Sequence, residues 1–324
     1  MRDSASSDFP HLFVDPITQD ALRRQGDRLL GSRGEVAHLR DGLWRFVETD
    51  RHYAKSFGLQ WSHWTDTLSD SRRTGRTKFD LVMSRSHLDQ YELSGKRVLE
   101  CGMGGGDDTE VLLKLPFSEI YSFDLSTSVD RAARFLADSR LTVFQASILE
   151  IPVPDESFDV VYCHRVLQHT PSPIASLRAI IRKLAPGGIL FAHCYQRTPE
   201  RMKAYKYKYR PLTTRLPPEW VLALVEHSGP PLRRLSRLLD RFGRFGRELR
   251  RQWIPYQYYD AYGDLDEEQL AEFSMHDTFD ALTPAYDNPL TADEFYGEIR
   301  KAGLRIDHLQ ENSLGPLWCT ATRT

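Results

Sequence analysis

The chain has 324 residues, 40% of them hydrophobic, with 43 lysines and arginines against 45 aspartates and glutamates, a formal charge of −2. A chain of that size buries a large core, and the near-neutral balance excludes a polycation built around nucleic acid. No apolar run approaches the ~20 residues that span a bilayer, and four cysteines without a CxxC pair give neither a zinc ribbon nor a redox dithiol by spacing. Cys101, Cys163, Cys194 and Cys319 read as reduced, structural cysteines of a cytoplasmic protein. The polar stretch Met1 to Phe9 reads against a signal peptide.

Residues 1–50 hold Leu12 to Ile17, a turn at Gly31 to Gly34 and a β-rich run from Glu35 to Val47. His38 to Val47 resembles the last hairpin of small Trm112-like modules. It lacks the zinc-binding cysteines such modules often carry, and the plainer expectation is an N-terminal extension. Residues 51–91 read as a helical cap. Within it, Tyr53, Phe57, Gln60 and Trp61 set aromatic rings around an amide, which suits covering a cation and holding a polar tail. The alternative is that Phe57, Trp61 and Trp64 only dock a helix on the sheet. Arg76 and Lys78 are cations placed to pair with a ligand carboxylate.

From residue 92 to 195 strands alternate with helices, which implies a parallel sheet with right-handed crossovers. Val98-Leu99-Glu100-Cys101-Gly102-Met103-Gly104-Gly105-Gly106 is an apolar strand ending on a carboxylate and entering a glycine turn. Glycine tolerates positive φ and close approach of a ligand. The third glycine of a dinucleotide fingerprint would fall on Asp107, with Asp108 beside it. A pyrophosphate is poorly served by two acids, whereas a cationic cofactor is well served. A helix is predicted over Thr109 to Leu115, then strands at Ile120 to Phe123 (ending on Asp124), Leu141 to Phe144, Phe158 to Cys163 and Ile189 to Cys194. Ser172 caps a helix with Pro173 in its first turn and Ile174, Leu177, Ile180, Ile181 and Leu184 at helical spacing, stopped by Pro186-Gly187-Gly188.

The acid followed by GxGxG resembles motif I of the class I methyltransferases that use S-adenosylmethionine, and the later landmarks follow that family's order. The resemblance implies an α/β fold, a Rossmann-like sheet with helices on both faces, closed by an antiparallel pair. Thr291 to Ala302, Leu304 to Leu309 and Leu317 to Thr322 suit that closing helix and hairpin within residues 289–324. It also implies that Glu100, Gly102, Gly104, Gly106, Asp124, Leu125, Ser147, Ile148 and His164 contact S-adenosylmethionine, with Asp124 on the ribose. Ser147 stands where many relatives carry an adenine-contacting acid, so that contact is expected to be weaker or made by backbone. Tyr53 to Trp61 looks like a YxxxFGxQW segment of some bacterial methyltransferases, which would bring Gln60 and Trp61 over the cofactor.

Residues 196–288 then read as an inserted lid. Seven cations against Glu200 run from Arg197 to Arg215, interleaved with tyrosines, and eight arginines against Asp240 and Glu248 run from Pro231 to Arg251. Leu232, Leu235, Leu238, Leu239, Phe242, Phe245, Leu249 and Trp253 at helical spacing predict an amphipathic helix with a basic outer face. Asp260 to Asp280 reverses the sign, with eight acids and no lysine or arginine. Three readings stand: mutual neutralisation, a lid whose basic face receives an anionic substrate, or a membrane-surface helix. Asp277 to Asp287 looks like a segment near the C-terminal elements of the same bacterial enzymes. Tyr207, Arg210 and Tyr286 are candidate substrate contacts.

His164, His169, His193 and Tyr195 lie beyond strand ends, where open α/β sheets bind ligands. His169, His193 and the lid carboxylate Asp277 are the candidate bases, and no metal site is expected. The function implied is methyl transfer to a small or saccharide-like, anionic acceptor. An RNA-modifying enzyme using the basic insertion, or a non-catalytic cofactor-binding scaffold, are the alternatives; no stable nucleic-acid complex is expected.

Overall fold

The computed structural model describes residues 9–48, 52–64, 75–310 and 315–324. Residues 1–8, read above against a leader, and residues 65–74 of the expected cap lie outside that set. The strands are β1 (Arg23–Gln25), β2 (Arg28–Gly31), β3 (Gly34–Arg40), β4 (Leu43–Arg45), β5 (Arg97–Cys101), β6 (Glu119–Asp124), β7 (Leu141–Gln145), β8 (Phe158–Cys163), β9 (Leu184–Cys194), β10 (Leu304–Leu309) and β11 (Leu317–Arg323). The helices are α1 (Lys55–His63), α2 (Lys78–Ser86), α3 (Thr109–Leu112), α4 (Ser128–Phe135), α5 (Pro173–Arg182), α6 (Pro199–Met202), α7 (Tyr205–Thr213), α8 (Pro218–Asp240), α9 (Gly243–Trp253), α10 (Glu267–Leu282) and α11 (Ala292–Lys301).

All eleven strands form one sheet in the order β1-β2-β3-β4-β7-β6-β5-β8-β9-β11-β10. β4 to β9 pair in parallel, and β11 and β10 close the edge antiparallel. The central strands are apolar on both faces because helices cover both. Alternate residues separate accordingly. Leu99, Tyr121, Phe123, Val161 and Leu190 join one buried cluster with Leu177, Ile180 and Phe295. Val98, Ile120, Val160, Tyr162 and Phe191 join another with Val82, Val111 and Leu112. The order reverses between β5 and β8, so a crevice opens beyond their carboxyl ends.

The N-terminal strands continue this sheet. Trp44 pairs with Phe144 and Arg45 with Gln145, and Phe13 packs edge-on against Phe46 and Phe144. Arg45 is buried, and it donates to Gln145 at 2.9 Å and Asp130 at 2.5 Å.

Two helix ends differ from their spacing. α3 stops at Leu112 instead of Leu115, and Lys114 and Leu115 continue as turns that bond three residues back ahead of Pro116. α5 stops at Arg182, and Leu184 already belongs to β9, which takes in Pro186-Gly187-Gly188. The register of β9 against β8 slips at that point, where a proline without an N–H is tolerated. Ser172 caps α5 through its hydroxyl at 3.3 Å from the Ala175 N–H, and Thr291 with Glu294 forms a capping box on α11.

The chain leaves the sheet at Gln196, which bridges Leu290 on the return, with the Arg197 N–H on the Leu290 carbonyl at 2.7 Å. Between these points α6 to α10 build a lobe with its own core of Tyr205, Val221, Leu222, Val225, Phe279 and Leu282. Trp64 is buried in this core, so it docks α1 on the lobe and not on the sheet. Glu267 takes both Arg233 (2.8 Å) and Arg237 (2.6 Å), a partial neutralisation of basic by acidic segments. The outer face is basic as expected, with Arg234, Arg237, Arg241, Arg244 and Arg247 exposed, but the structure corrects the apolar stripe, which shares that face instead of being buried, and divides the segment between α8 and α9. Leu235, Leu238, Phe242, Phe245, Leu249 and Trp253 are exposed, whereas Arg233 is buried.

Candidate functional site

A cavity of about 750 Å³ lies between the carboxyl ends of the strands and the inserted lobe. Its sheet side is built by the glycine turn. Gly102 and Gly104 have φ of +81° and +53°, which glycine adopts at little cost. A side chain at Gly104 or Gly105 would also collide with Trp61, whose ring lies within 2.8 Å of where a Cβ would stand. The turn is therefore open to a ligand on one side and roofed by Trp61 on the other. Gly106 does not line the cavity; it gives the turn close approach to Leu136.

Asp124 ends β6 facing this turn. One carboxylate oxygen accepts from the Gly104 N–H at 3.0 Å, and the other from the Ser126 N–H and hydroxyl at 2.8 and 2.7 Å. Each oxygen has two acceptor directions, so the oxygen facing Ser126 is filled and the one facing Gly104 retains one for a ribose hydroxyl. Leu125 and Ile148 line the cavity with it, while Ser147 does not. The Ser147 hydroxyl accepts from the Leu149 N–H at 3.2 Å, an ST-type turn that points it into its own loop.

Glu100 is buried, and one of its oxygens accepts from the hydroxyls of Thr109 (2.6 Å) and Ser122 (2.7 Å). Desolvation pushes its pKa up to about 8; the two hydroxyl donors oppose this, while Asp108 and Asp124 add to it. Asp107, also raised by burial, is held by Lys78 at 3.1 Å. Lys78 reaches Glu110 at 3.1 Å too, so the cation expected on a ligand carboxylate is already paired. The crevice is acidic, and a cation inside it would relieve the repulsion.

Asp108 joins strand end to turn by accepting from the Tyr162 hydroxyl at 2.8 Å and facing His164 Nδ1 at 2.7 Å. Burial lowers the pKa of His164, against the pull of Asp108. His193 lies edge-on to His164 at 5.1 Å. Its pKa falls well below the usual value through desolvation, then repulsion from His164 and from Arg165, and its Nδ1 is buried without a partner. His169 donates from Nδ1 to the Tyr286 carbonyl at 3.1 Å, since a carbonyl can only accept, and this leaves Nε2 as the acceptor. Rings of Phe57 (5.1 Å) and Tyr195 (5.6 Å) hold its plane.

Sequence reasoning identified Gln60 and Asp277 alongside His169 and His193, but missed the chain of contacts that joins the first two. Tyr259 donates to Asp277 at 2.6 Å, Asp277 faces His276 Nδ1 at 3.1 Å, and His276 Nε2 meets the Gln60 amide at 2.5 Å. Gln60 is almost fully buried, and its carbonyl oxygen has no partner. An orphaned buried acceptor beside the glycine turn suits a ligand ammonium group. Arg165, Arg201, Tyr205 and Lys206 also line the cavity, and only their general position in a basic insertion or past β8 was readable.

Tyr207, Arg210 and Tyr286 lie outside the lining. Arg210 donates to the carbonyls of Ala281 (3.2 Å) and Pro284 (2.6 Å), which consumes its guanidinium in clasping α7 to the end of α10. The Tyr207 hydroxyl reaches Asp287 at 3.3 Å. Tyr286 offers its carbonyl to His169 and its ring edge to Tyr53 at 5.2 Å. All four cysteines are buried and unpaired.

Ubiquinone biosynthesis O-methyltransferase of Xanthomonas oryzae pv. oryzae is 36% identical over 126 residues, 38% of this chain and 50% of that protein. The chain thus spans about half the length of the curated relatives it matches. A chain of the Haloferax volcanii complex of the Trm112 methyltransferase activator aligns over 86% of this chain and 99% of its own at 13% identity, with a TM-score of 0.49. An S-adenosylmethionine-dependent methyltransferase from Mesorhizobium loti aligns over 72% and 93% at 15% identity, with a TM-score of 0.44. Residues 99–192, which carry the glycine turn, Asp124 and the strand ends bearing His164 and His169, match the family described as a methyltransferase domain.

Proposed function

We propose that this chain is an S-adenosylmethionine-dependent methyltransferase acting on a hydroxyl of a small, polar acceptor. The observation that carries the reading is the acidic crevice of Glu100, the glycine turn and Asp124, roofed by Trp61 and completed by the orphaned Gln60 carbonyl. Lys78, the cation nearest the acids of the turn, is already held by Asp107 and Glu110 and so is not left to meet a dinucleotide phosphate. The bound cofactor supplies an electrophilic methyl group. Asp124 holds the ribose, the glycine turn and Gln60 hold the amino-acid end, and Leu125 and Ile148 flank the base. The likeness of Tyr53 to Trp61 to a cofactor-covering segment supports Gln60 and Trp61 in this role.

The acceptor sits in the lobe half of the cavity. His169 takes its hydroxyl proton on Nε2, since the Tyr286 carbonyl holds the Nδ1 proton. Neutral His193, with an unpartnered nitrogen, is positioned to hold a second acceptor group. Asp277 acts through His276 to orient Gln60. Arg201 lines the cavity over the Tyr195 ring at 5.2 Å, and among the described residues it has no carboxylate partner. Asp280 lines it as well. Both suit a hydroxylated acceptor that also carries an anionic group. That the matched relatives are named O-methyltransferases supports oxygen as the methylated atom; their match to half their own length leaves the acceptor to this chain's lobe.

Calorimetry with adenosylhomocysteine is the test. Micromolar uptake is expected, with methyl transfer from labelled S-adenosylmethionine to an anionic hydroxylated compound. Uptake of a nicotinamide dinucleotide in its place would sink the reading.

A further inference from the structure

The hairpin of α8 and α9 is apolar on the side that faces water. At about 100° per residue, Trp220, Leu224, Leu235 and Leu238 fall within roughly 60° of one another on α8. The residues α8 buries, Val225, Gly229, Arg233 and Ser236 among them, lie on the opposite side. After the turn at Phe242, the spacing of Phe245, Leu249 and Trp253 continues the outer ridge along α9. Of the twelve exposed large hydrophobic residues in the described chain, eight are on this hairpin, with Trp220 and Phe245 exposed by 68% and 75%. A helix apolar on both sides is expected to be covered on both.

Charge chooses the cover. The hairpin carries eight arginines against four carboxylates. Three of those carboxylates are occupied, Glu226 by His63, Asp240 by Arg250 and Glu248 by Arg251. Arg234, Arg241, Arg244 and Arg247 flank the ridge with no ion-pair partner among the described residues. An aromatic and leucine ridge bordered by unpaired arginines is complementary to an anionic bilayer surface, which offers acyl chains for the ridge and phosphates for the arginines. A nucleic acid would satisfy the arginines but leave the ridge wet. We propose that this face docks on an anionic lipid leaflet.

The ridge also ends at the site. Arg251, between Leu249 and Trp253, lines the cavity and donates to the Glu200 carbonyl at the rim. Trp253 is held there by Lys208, whose ammonium lies 3.5 Å from the ring centroid, and by Tyr209 on its carbonyl at 3.0 Å. Docking would therefore bring the cavity mouth to the membrane surface. Resting on the methyltransferase reading, this makes the acceptor an amphiphile whose polar end enters from the leaflet.

The test is co-sedimentation of the full chain with phosphatidylglycerol–phosphatidylcholine vesicles and with phosphatidylcholine vesicles alone, with adenosylhomocysteine binding read on the same samples. Uptake by the anionic vesicles is expected. It should weaken about tenfold or more in Phe242→Ser/Phe245→Ser and in Arg244→Glu/Arg247→Glu, with melting temperature and adenosylhomocysteine binding unchanged. Protein left in the supernatant, equal uptake by both vesicle types, retention on RNA without lipid uptake, or a dimer dissolved by Phe245→Ser without lipid uptake would each overturn the docking. Vesicle uptake without adenosylhomocysteine binding would sink the catalytic reading and leave the docking in place.

Discussion

The sheet and the inserted lobe solve the same problem in opposite ways. The sheet buries both faces of β5, β8 and β9, so nearly every apolar residue there is spent on packing. The lobe buries one side of α8 against α10 and leaves a second apolar side outside. Apolar content alone therefore does not locate the core in this molecule; the element's neighbours do. The widest test of that contrast is to cut one aromatic ring from each region. Phe158, fully buried at the start of β8, should cost about 3–5 kcal/mol as Phe158→Ala. Phe245→Ser should change stability by no more than about 0.5 kcal/mol. Chemical denaturation of the two variants measures both, and a large loss in Phe245→Ser would show that the outer ridge is part of a core.

The regions also divide the site's labour. The sheet end presents fixed backbone and carboxylates, whereas the lobe presents side chains held by one another. Asp124→Ala removes the acceptor of the Gly104 and Ser126 N–H groups together with the proposed ribose contact. Adenosylhomocysteine affinity should fall by about 50- to 100-fold, roughly 2–3 kcal/mol, with the acceptor KM little changed. His276→Phe would instead break the chain from Asp277 to Gln60. A smaller loss, about tenfold, is expected there. Titration calorimetry separates the two, and equal losses would mean that the lobe positions the cofactor as firmly as the sheet does.

What was legible follows the same divide. Each core strand was readable to within a residue or so at its C-terminal end, because short continuous apolar runs bounded by polar residues are local signals. The exception was the early start of β9, where a register slip admits Pro186 into a strand. The N-terminal strands were readable as β, but not their pairing with β7, a contact between residues about 100 apart in sequence. In the lobe, the leucine spacing that usually marks a buried stripe marks an exposed one, and the cations interleaved with tyrosines mark clasps. Arg210 was singled out as a substrate contact because a basic residue between tyrosines has no local sign that two carbonyls await it. The Gln60–His276 contact spans 216 positions and has no sequence signature at all.

The clasp is itself testable. Arg210 is buried on the carbonyls of Ala281 and Pro284, so Arg210→Met leaves both acceptors unpaired at a cost of about 1–3 kcal/mol. Because the loss falls on the lobe, it should appear as faster hydrogen exchange in α7 and the end of α10, with the amides of β5 and β8 still protected. Uniform acceleration across sheet and lobe would mean that the two unfold as one unit.

The smallest expected effect lies on the sheet side and concerns protons. Glu100 has its pKa raised by burial to about 8 in the folded chain, above the ordinary carboxylate value it regains on unfolding. Between those two values the folded state holds a proton that the unfolded state has released, so this group makes stability fall as pH rises. Glu100→Gln removes the proton and with it the slope. Thermal melts at pH 7 and pH 8 should show the cofactor-free wild type losing roughly 1 kcal/mol more than the variant over that interval. The same charge should also discriminate between ligands. Ionised Glu100 favours a sulfonium over a neutral thioether, so the affinity ratio of S-adenosylmethionine to adenosylhomocysteine should rise with pH towards 8 in the wild type and stay flat in Glu100→Gln. A ratio that is flat in both proteins would place the sulfonium away from Glu100, while Asp124 could still hold the ribose.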